Sequence, residues 1–343
     1  MEKIIFWNNK GGTGKTTLAF QILSEYARQN TDKKILVIDV CPQANLSELL
    51  LGGLNQSGSG ILLMRQGETP RATIGGYFQM RLPAPYSVPE FNPKDYLTNP
   101  NKYNHFIEKN IDLLCGDAML ELQSNAISTL ANNQIPGTNT WIAIINWLND
   151  FIRPIEKEYD IAFIDANPSF SMYTQIAIAT STKIVLPVMA DDSSRRAIQN
   201  AFSLIYGLKL PSELYSKYAF AEKLKEVNME LPKVYMILKN RLTQYMGAAS
   251  AYATVLKEID KDIVSLLETY PYIFAFSSLD KGIVNVRDFQ TTGVVSSARG
   301  CPFQKLKAGR LDLMGKRVAI KEEYRINCIR NVEEIVNRIN KDL

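Results

Sequence analysis

The sequence predicts a doubly wound α/β fold: a mainly parallel sheet with helices on both faces. Three features predict it. Continuous apolar runs, such as Lys34–Asp39 (KILVID) and Tyr159–Asp165 (YDIAFID), have the pattern of strands buried on both faces of a parallel sheet. These runs alternate along the chain with stretches of helical spacing, the pattern of repeated βαβ units. The first run, Lys3–Trp7, passes through a glycine-rich turn into Leu18, Ile22, Leu23 and Tyr26, which recur at helical spacing.

Bulk properties bound the answer. The 343 residues are 46% hydrophobic and 22% charged, enough to build a core, and one domain over residues 1–343 is the expectation. No apolar run approaches the ~20 residues of a membrane span. The N-terminus leads straight into a strand, so no signal peptide is expected, and a cytoplasmic location is the expectation. The four cysteines, Cys41, Cys115, Cys301 and Cys328, are scattered without a C-x-x-C pair. Free thiols in a reducing compartment are expected, and metal clusters are not. From Gly300 onward basic residues exceed acidic ones by four, which accounts for the whole net charge of +4.

In chain order, the glycine turn of residues 9–14 joins the first strand to the first helix, and Lys34–Asp39 is the second strand. Gly52 to Asn110 breaks the periodicity and reads as an irregular insertion, with one short helix at Thr73–Phe78. Its lone histidine, His105, reads as a surface residue. Ile111–Cys115 is a strand, Ala118–Ala131 and Asn139–Glu158 are helical, and Tyr159–Asp165 is a strand closed by an aspartate. Lys183–Val188 is the next strand, followed by a helix at Ala197–Leu208 that Asp192 and Ser193 would cap. Pro211–Pro232 reads as a charged helical insertion. Lys233–Lys239 is a strand before Asn240, and Ala248–Glu268 a long helix. Tyr272–Phe276 reads as the last strand. Two terminal helices, Cys301–Gly315 and Val318–Asn340, would carry the basic excess, the second with an apolar stripe of Ile329, Val332, Val336 and Ile339.

The chemistry concentrates at Asn9-Lys10-Gly11-Gly12-Thr13-Gly14-Lys15-Thr16-Thr17. Glycines let backbone N–H groups close around a phosphate without a Cβ in the way. A helix N-terminus behind them adds its positive dipole end. Lys15 would reach the β- and γ-phosphates, and the Thr16 hydroxyl would bind Mg²⁺. Asp39 and Asp165 end two strands on the edge where open α/β sheets bind ligands.

The string K-G-G-x-G-K-T-T, with Asn9 where the ordinary P-loop has glycine, resembles the ParA/MinD family of P-loop ATPases. Cys41-Pro42-Gln43-Ala44-Asn45 after Asp39 is similar to that family's D-x-D-P-Q-x-N segment, and Asp165 ends a strand of the Walker B pattern. Ala166-Asn167-Pro168-Ser169 stands for its x-P-P-S turn. Val284–Thr292 resembles its V-R-x-S-E-A-P segment in position. The resemblance covers about residues 1–50 and 111–300.

It implies ATP and Mg²⁺ as cofactors, with residues Lys10, Gly11, Gly12, Thr13, Gly14, Lys15, Thr16 and Thr17 on the nucleotide. Thr16, Asp39 and Asp165 would serve the metal, and Asn240 would read the adenine edge. Lys10 would cross a homodimer interface to the partner's nucleotide. The family's second aspartate helps activate the attacking water. Here that position is Cys41, so hydrolysis would be slow unless Glu48, Asp191, Asp192 or a partner supplies the missing group. Such proteins bind nonspecific DNA as ATP dimers and position a plasmid, chromosome or organelle with a ParB-like or adaptor partner. A nucleoid-associated location follows. The basic tail suits this role, and Lys305, Lys307, Arg310, Lys316 and Arg317 are the candidate DNA contacts.

Three alternatives compete. With Cys41 the chain would bind ATP and barely hydrolyse it, as a regulatory or scaffold protein, for example in a defence complex. A MinD-type membrane-surface switch would end in an apolar and basic amphipathic helix, whereas Glu333 and Glu334 precede Arg338–Leu343 here. A metabolic ligase-type ATPase is disfavoured by Lys10.

Overall fold

In the computed structural model, residues 1–242, 251–313 and 315–342 are described. Strand β1 (Glu2–Phe6) leads into helix α1 (Lys15–Gln29) and strand β2 (Ile35–Val40). Helices α2 (Asn45–Leu50), α3 (Gly58–Gln66) and α4 (Ile74–Arg81) follow, then strands β3 (Leu97–Thr98) and β4 (Ile111–Leu114). Helices α5 (Met119–Ala131), α6 (Thr140–Ile145) and α7 (Trp147–Ile152) precede β5 (Ile161–Ala166). Next come α8 (Met172–Thr180), β6 (Lys183–Met189), α9 (Asp192–Tyr206), α10 (Glu213–Ser216), α11 (Phe220–Lys225) and β7 (Lys233–Leu242). Helices α12 (Ala251–Thr269) and α13 (Leu279–Gly282), strand β8 (Ile283–Arg287) and helix α14 (Gln290–Arg299) follow. Strands β9 (Gly309–Leu313) and β10 (Lys316–Ile320) and helix α15 (Glu322–Asp342) complete the described chain.

Eight strands form one sheet in the order β3-β4-β2-β5-β1-β6-β7-β8, parallel throughout except for β3. The doubly wound architecture is therefore as expected. Side chains alternate between the two faces of each strand. Ile4 and Phe6 of β1 join α1, α14 and α15 on one face. Ile5 and the adjacent Trp7 join α5 to α9 and α12 on the other. Burial on both faces is why these strands read as unbroken apolar runs.

Four expectations need correction. Residues 52–110 are not irregular throughout, since they hold α3, α4 and β3. The short helix at Thr73–Phe78 exists as α4, capped by the Thr73 hydroxyl accepting from Gly76 N. The aromatics of this stretch pack inward: Tyr77 lies against Phe91, Tyr96 and Phe151. Arg81 is fully buried and donates to Asp150 and to the Tyr77 hydroxyl. Such contacts follow no sequence period, which is why the sequence reads as loop.

Tyr272–Phe276 is not the last strand. It begins in a 3₁₀ turn at Pro271, and only Phe274 bridges to the sheet, at Val234. The edge is β8, a few residues later. The helix predicted at Ala197 starts earlier, at Asp192, and its cap is Asp191 rather than Asp192 or Ser193. Of the two expected terminal helices, the first is absent and the second starts later than expected, with Val332, Val336 and Ile339 buried as its apolar stripe implied. In place of the first stand a loop and the antiparallel hairpin β9–β10, and α15 begins at Glu322 rather than Val318. Leu311, Leu313, Val318 and Ile320 share one side of the hairpin and pack on the core, while Arg310 and Arg317 stay exposed. Alternation of period two beside Gly309 and Gly315, both at positive φ, is a hairpin signature.

The insertion at residues 211–232 contains only the short α10 and α11, and residues 139–158 divide into α6, α7 and a 3₁₀ turn. The first residues of the helix expected at Ala248–Glu268 lie outside the described residues.

Candidate nucleotide-binding site

The loop after β1 is shaped before any ligand arrives. Asn8 is fully buried; its amide donates to Pro187 O at 2.8 Å and accepts from Lys10 N at 3.1 Å. Gly12 and Gly14 take φ of +75° and +88°, the left-handed region where a side chain is strained. Asn240, at the end of β7, donates to Thr13 O at 2.9 Å and accepts from Arg241 N at 2.9 Å. A Cβ on Gly14 would lie 2.3 Å from Asn240 Nδ2, so this glycine is required by close approach. Asn240 thus braces the loop with one amide hydrogen and one lone pair. On the other side Gly11 and Gly12 face open space, with nothing within 4 Å of an added Cβ. Helix α1 starts here without a side-chain cap, leaving N–H groups available to an anion.

Lys15 is 7% exposed and donates to Lys10 O at 2.9 Å. Burial pulls its ammonium below its ordinary value, and nearby Asp165 offsets part of that. It sits behind the loop, where a phosphate would take over its hydrogen bond.

Asp39 and Asp165 stand side by side on adjacent parallel strands, both essentially without solvent exposure. Burial raises both carboxyls, and Asp39 raises Asp165 further. Asp39 is turned toward its own loop. It accepts from Cys41 N at 3.1 Å and from Ser47 N and Oγ at 2.9 and 2.8 Å. Asp165 accepts from the Thr16 hydroxyl at 2.7 Å on Oδ2, while its buried Oδ1 has no hydrogen-bond partner. An orphaned carboxylate oxygen beside a threonine hydroxyl fits a hard divalent cation such as Mg²⁺. Thr16 and Asp165 fit that cation directly; Asp39 has both oxygens committed elsewhere. Ser47, absent from the sequence reading, is the residue that holds Asp39.

Cys41 is 9% exposed. Burial, then the neighbouring Asp39 and Asp165, push its thiol up to about 12, so it is neutral at ordinary pH. Of the carboxylates that could replace it, Glu48 lines the adjoining cavity and Asp192 pairs with Arg196.

Asp191 is committed to Lys10. The Lys10 ammonium donates to both its oxygens, at 2.6 and 2.7 Å, and to Ser194 Oγ at 3.1 Å. Lys10 is therefore held within its own chain. Burial alone would raise Asp191; hydrogen bonds from Lys10, Ser193 and Ser194 outweigh it and hold the carboxyl at about 2.

Beside the loop opens a cavity of about 690 Å³, lined by Gly14, Thr17, Asn45, Glu48, Asn240 and Phe289 among others. Its size suits a nucleoside. Thr16 also lines the cavity, whereas Thr13 is fully buried. The tail residues Lys305, Lys307, Arg310, Lys316 and Arg317 do not line this cavity. Lys305 pairs with Glu108 at 2.6 Å, whereas Lys307, Arg310, Lys316 and Arg317 are exposed.

An AAA domain family model matches residues 1–214. The chain belongs to the ParA/MinD family of P-loop ATPases. Its sequence is similar to a virulence plasmid ParA family protein, pGP5-D, of Chlamydia psittaci, at 24% identity over 58% of this chain and 61% of the relative. It is also similar to the chromosome-partitioning ATPase Soj of Thermus thermophilus, at 26% identity over 56% of each. The match thus spans 61% and 56% of the length of these two relatives. In fold it is similar to apo McdA of Cyanothece, with TM-score 0.61 and 14% identity over 99% of both chains. A plasmid partition protein of Borrelia burgdorferi gives TM-score 0.51 and 17% identity, over 88% of this chain and 96% of that one. No described helix is long and apolar enough to cross a membrane.

The ion pair at Lys10 gives a measurable signature. Because Asp191's carboxyl is depressed, its contribution is present above the ordinary carboxylate range near 3.9 and is lost as pH falls through about 2. A carbon-13 NMR titration should find Asp191 near that low value in the wild type and shifted upward in Lys10→Ala. An unchanged titration would show that Lys10 is not its partner in solution.

Proposed function

We propose that this chain is an ATP-dependent dimerising switch of the ParA type, which binds nonspecific DNA and positions a plasmid, chromosome or organelle with a partner protein. The observation that carries the reading is the pairing of a preformed phosphate loop with Lys10, a second lysine held at its mouth by Asp191. The loop N–H groups, the α1 N-terminus and Lys15 would bind the phosphates of ATP. Thr16 and Asp165 would hold Mg²⁺, which supplies charge neutralisation between phosphate oxygens. Asn240 keeps the loop in the receiving shape while the nucleoside occupies the adjoining cavity. In the monomer Lys10 stays on Asp191. In the ATP dimer it would leave that carboxylate for the nucleotide of the second copy, so each subunit completes the other's site.

Light scattering with ATP and Mg²⁺ should double the mass of the wild type. Lys10→Ala should bind ATP yet remain monomeric at the same concentration. A wild type whose mass is the same with and without ATP would refute the switch.

Cys41 favours a second reading, an ATP-binding regulatory or scaffold protein with little turnover. A neutral thiol cannot take the proton of an attacking water as a carboxylate can. Cys41→Asp should raise ATP hydrolysis by about 10²- to 10⁴-fold, the usual worth of a placed general base. A wild-type rate already that fast, unchanged in Cys41→Ala, would mean that another group performs the task.

For DNA, the hairpin carries Arg310, Lys316 and Arg317 in the open, with Lys307 just before it, while Lys305 is occupied by Glu108. For every DNA phosphate that the protein ceases to neutralise, the slope of log affinity against log salt should flatten by about 0.9. Neutralising Lys307, Arg310, Lys316 and Arg317 together should therefore weaken binding at low salt and reduce its salt dependence, while Lys305→Ala changes neither. Equal slopes for both variants would remove the hairpin from the DNA surface.

A further inference from the structure

A second cavity, of about 580 Å³, lies between β8, the start of α14, β10 and α15. It is separated from the nucleotide cavity only by Asp288, Phe289 and Gln290, which line both. Its floor is the outer edge of the sheet, because β8 is the last strand. The direction of the backbone groups there can be read from two bonds. Asp288 N donates inward, to Leu242 O at 3.0 Å. Arg287 N donates outward, to Asn331 Oδ1 at 2.9 Å. Alternation along the strand then turns the N–H and C=O of Asn285 outward with those of Arg287. The outward N–H of Ile283 is used by Leu279 O. Asn285 is exposed, and no hydrogen bond from its outward backbone groups is found among the described residues.

The walls are polar and basic. Arg287 and Lys321 line the groove, both exposed and without an acidic partner among the described residues. Lys321 lies over the ring of Tyr324, which is 47% exposed. Asp288 is the one lining carboxylate among the described residues, and its Oδ1 already accepts from Gln290 N.

We infer that this groove takes an extended, acidic segment of a partner protein, added to the sheet as a further strand along β8. The outward N–H groups of Ile283 and Arg287 are taken, so the edge offers a backbone donor together with an acceptor at Asn285, which another extended backbone satisfies and which such domains use for recognition. A nucleic-acid backbone presents phosphate acceptors and leaves the outward C=O of Asn285 unmatched. The two cations select acidic side chains on the incoming strand. The inference rests on the reading of this chain as a nucleotide switch that answers to a partner, and it says where the partner sits. Since nucleotide and peptide would share the wall at Asp288–Gln290, each should alter the affinity of the other by the same factor.

The test pans a random dodecapeptide library displayed on phage against the full-length chain with ATP, then measures selected peptides on variants. Asn285→Pro removes the outward donor while the inward ladder stays, a substitution that edge strands accept. Arg287→Glu combined with Lys321→Glu reverses the rim. Selected peptides should carry Asp or Glu at alternate positions and bind both variants about tenfold or more weakly, the worth of one charge-assisted hydrogen bond. Methylating the alternate peptide nitrogens should abolish binding to the unaltered chain, a readout independent of how well Asn285→Pro folds. The inference is overturned if no peptide is selected, if the selected peptides lack acidic residues, or if they bind the variants and the methylated copies as before. It is also overturned if a short DNA duplex displaces the peptides and loses affinity in the same variants, which would make the groove a nucleic-acid surface. Mass with and without ATP, measured on the same samples, separates this outcome from failure of the switch itself.

Discussion

Two carboxylates buried side by side at one end of a parallel sheet set the terms for the rest of this site. Asp39 and Asp165 are both cut off from water; burial raises both carboxyls, and Asp39 raises Asp165 further. The structure resolves the conflict unequally. Asp39 collects three hydrogen bonds from the turn that follows it, and in doing so fixes the path from Cys41 to Ser47. Ser47 in turn accepts from Gly116 N, so the same carboxylate anchors the chain beyond β4. Asp165 receives only the Thr16 hydroxyl and keeps one oxygen bare. That asymmetry leaves Oδ1 of Asp165, beside Thr16 and the phosphate loop, as the unpartnered oxygen of the pair among the described residues.

Around this centre each strand end contributes one task. The ends of β1, β2, β5, β6 and β7 provide the loop, Asp39, Asp165, Asp191 and Asn240. All lie at the C-terminal edge of the sheet, where crossover connections leave a crevice. Asn240 and Asp191 act through other residues: one braces the glycine loop at Thr13 O, the other holds the Lys10 ammonium. Cys41 sits among them as a small, neutral, buried group.

What the sequence made legible follows from the range over which each signal acts. Strands buried on both faces write themselves as continuous apolar runs, so β1, β2, β4, β5 and β6 could be read within a residue or two, and β7 was read three residues short. Gly14, Lys15, Thr16, Asp39 and Asp165 are tied to those runs and came with them. The Lys10–Asp191 pair spans 181 positions, and no local pattern carries such a distance. The brace from Asn240 to Thr13 is equally remote. Residues 52–110 looked unstructured because Tyr77, Phe91 and Tyr96 satisfy their burial against Phe151, from another part of the chain. The hairpin was a different failure: Leu311, Leu313, Val318 and Ile320 alternate around Gly315, a local signal that the basic charge of the tail obscured.

The contacts of α1 bear on how the chain can be divided. Gln21, buried in the helix that carries the phosphate loop, donates to Ser296 and accepts from Phe303 N. Further along, Gln29 and Asn30 exchange hydrogen bonds with Asn340 of α15. Val332, Ile335, Val336 and Ile339 of α15 belong to the core layer that covers this helix. The segment matched by the family model ends at residue 214, before β7, β8, α14 and α15. Cut there, it would leave the loop without its brace and α1 with a bare apolar flank and the buried Gln21 amide without its partners. The family signature marks where the nucleotide chemistry resides; the cooperative unit that makes this chemistry possible extends almost to the C-terminus.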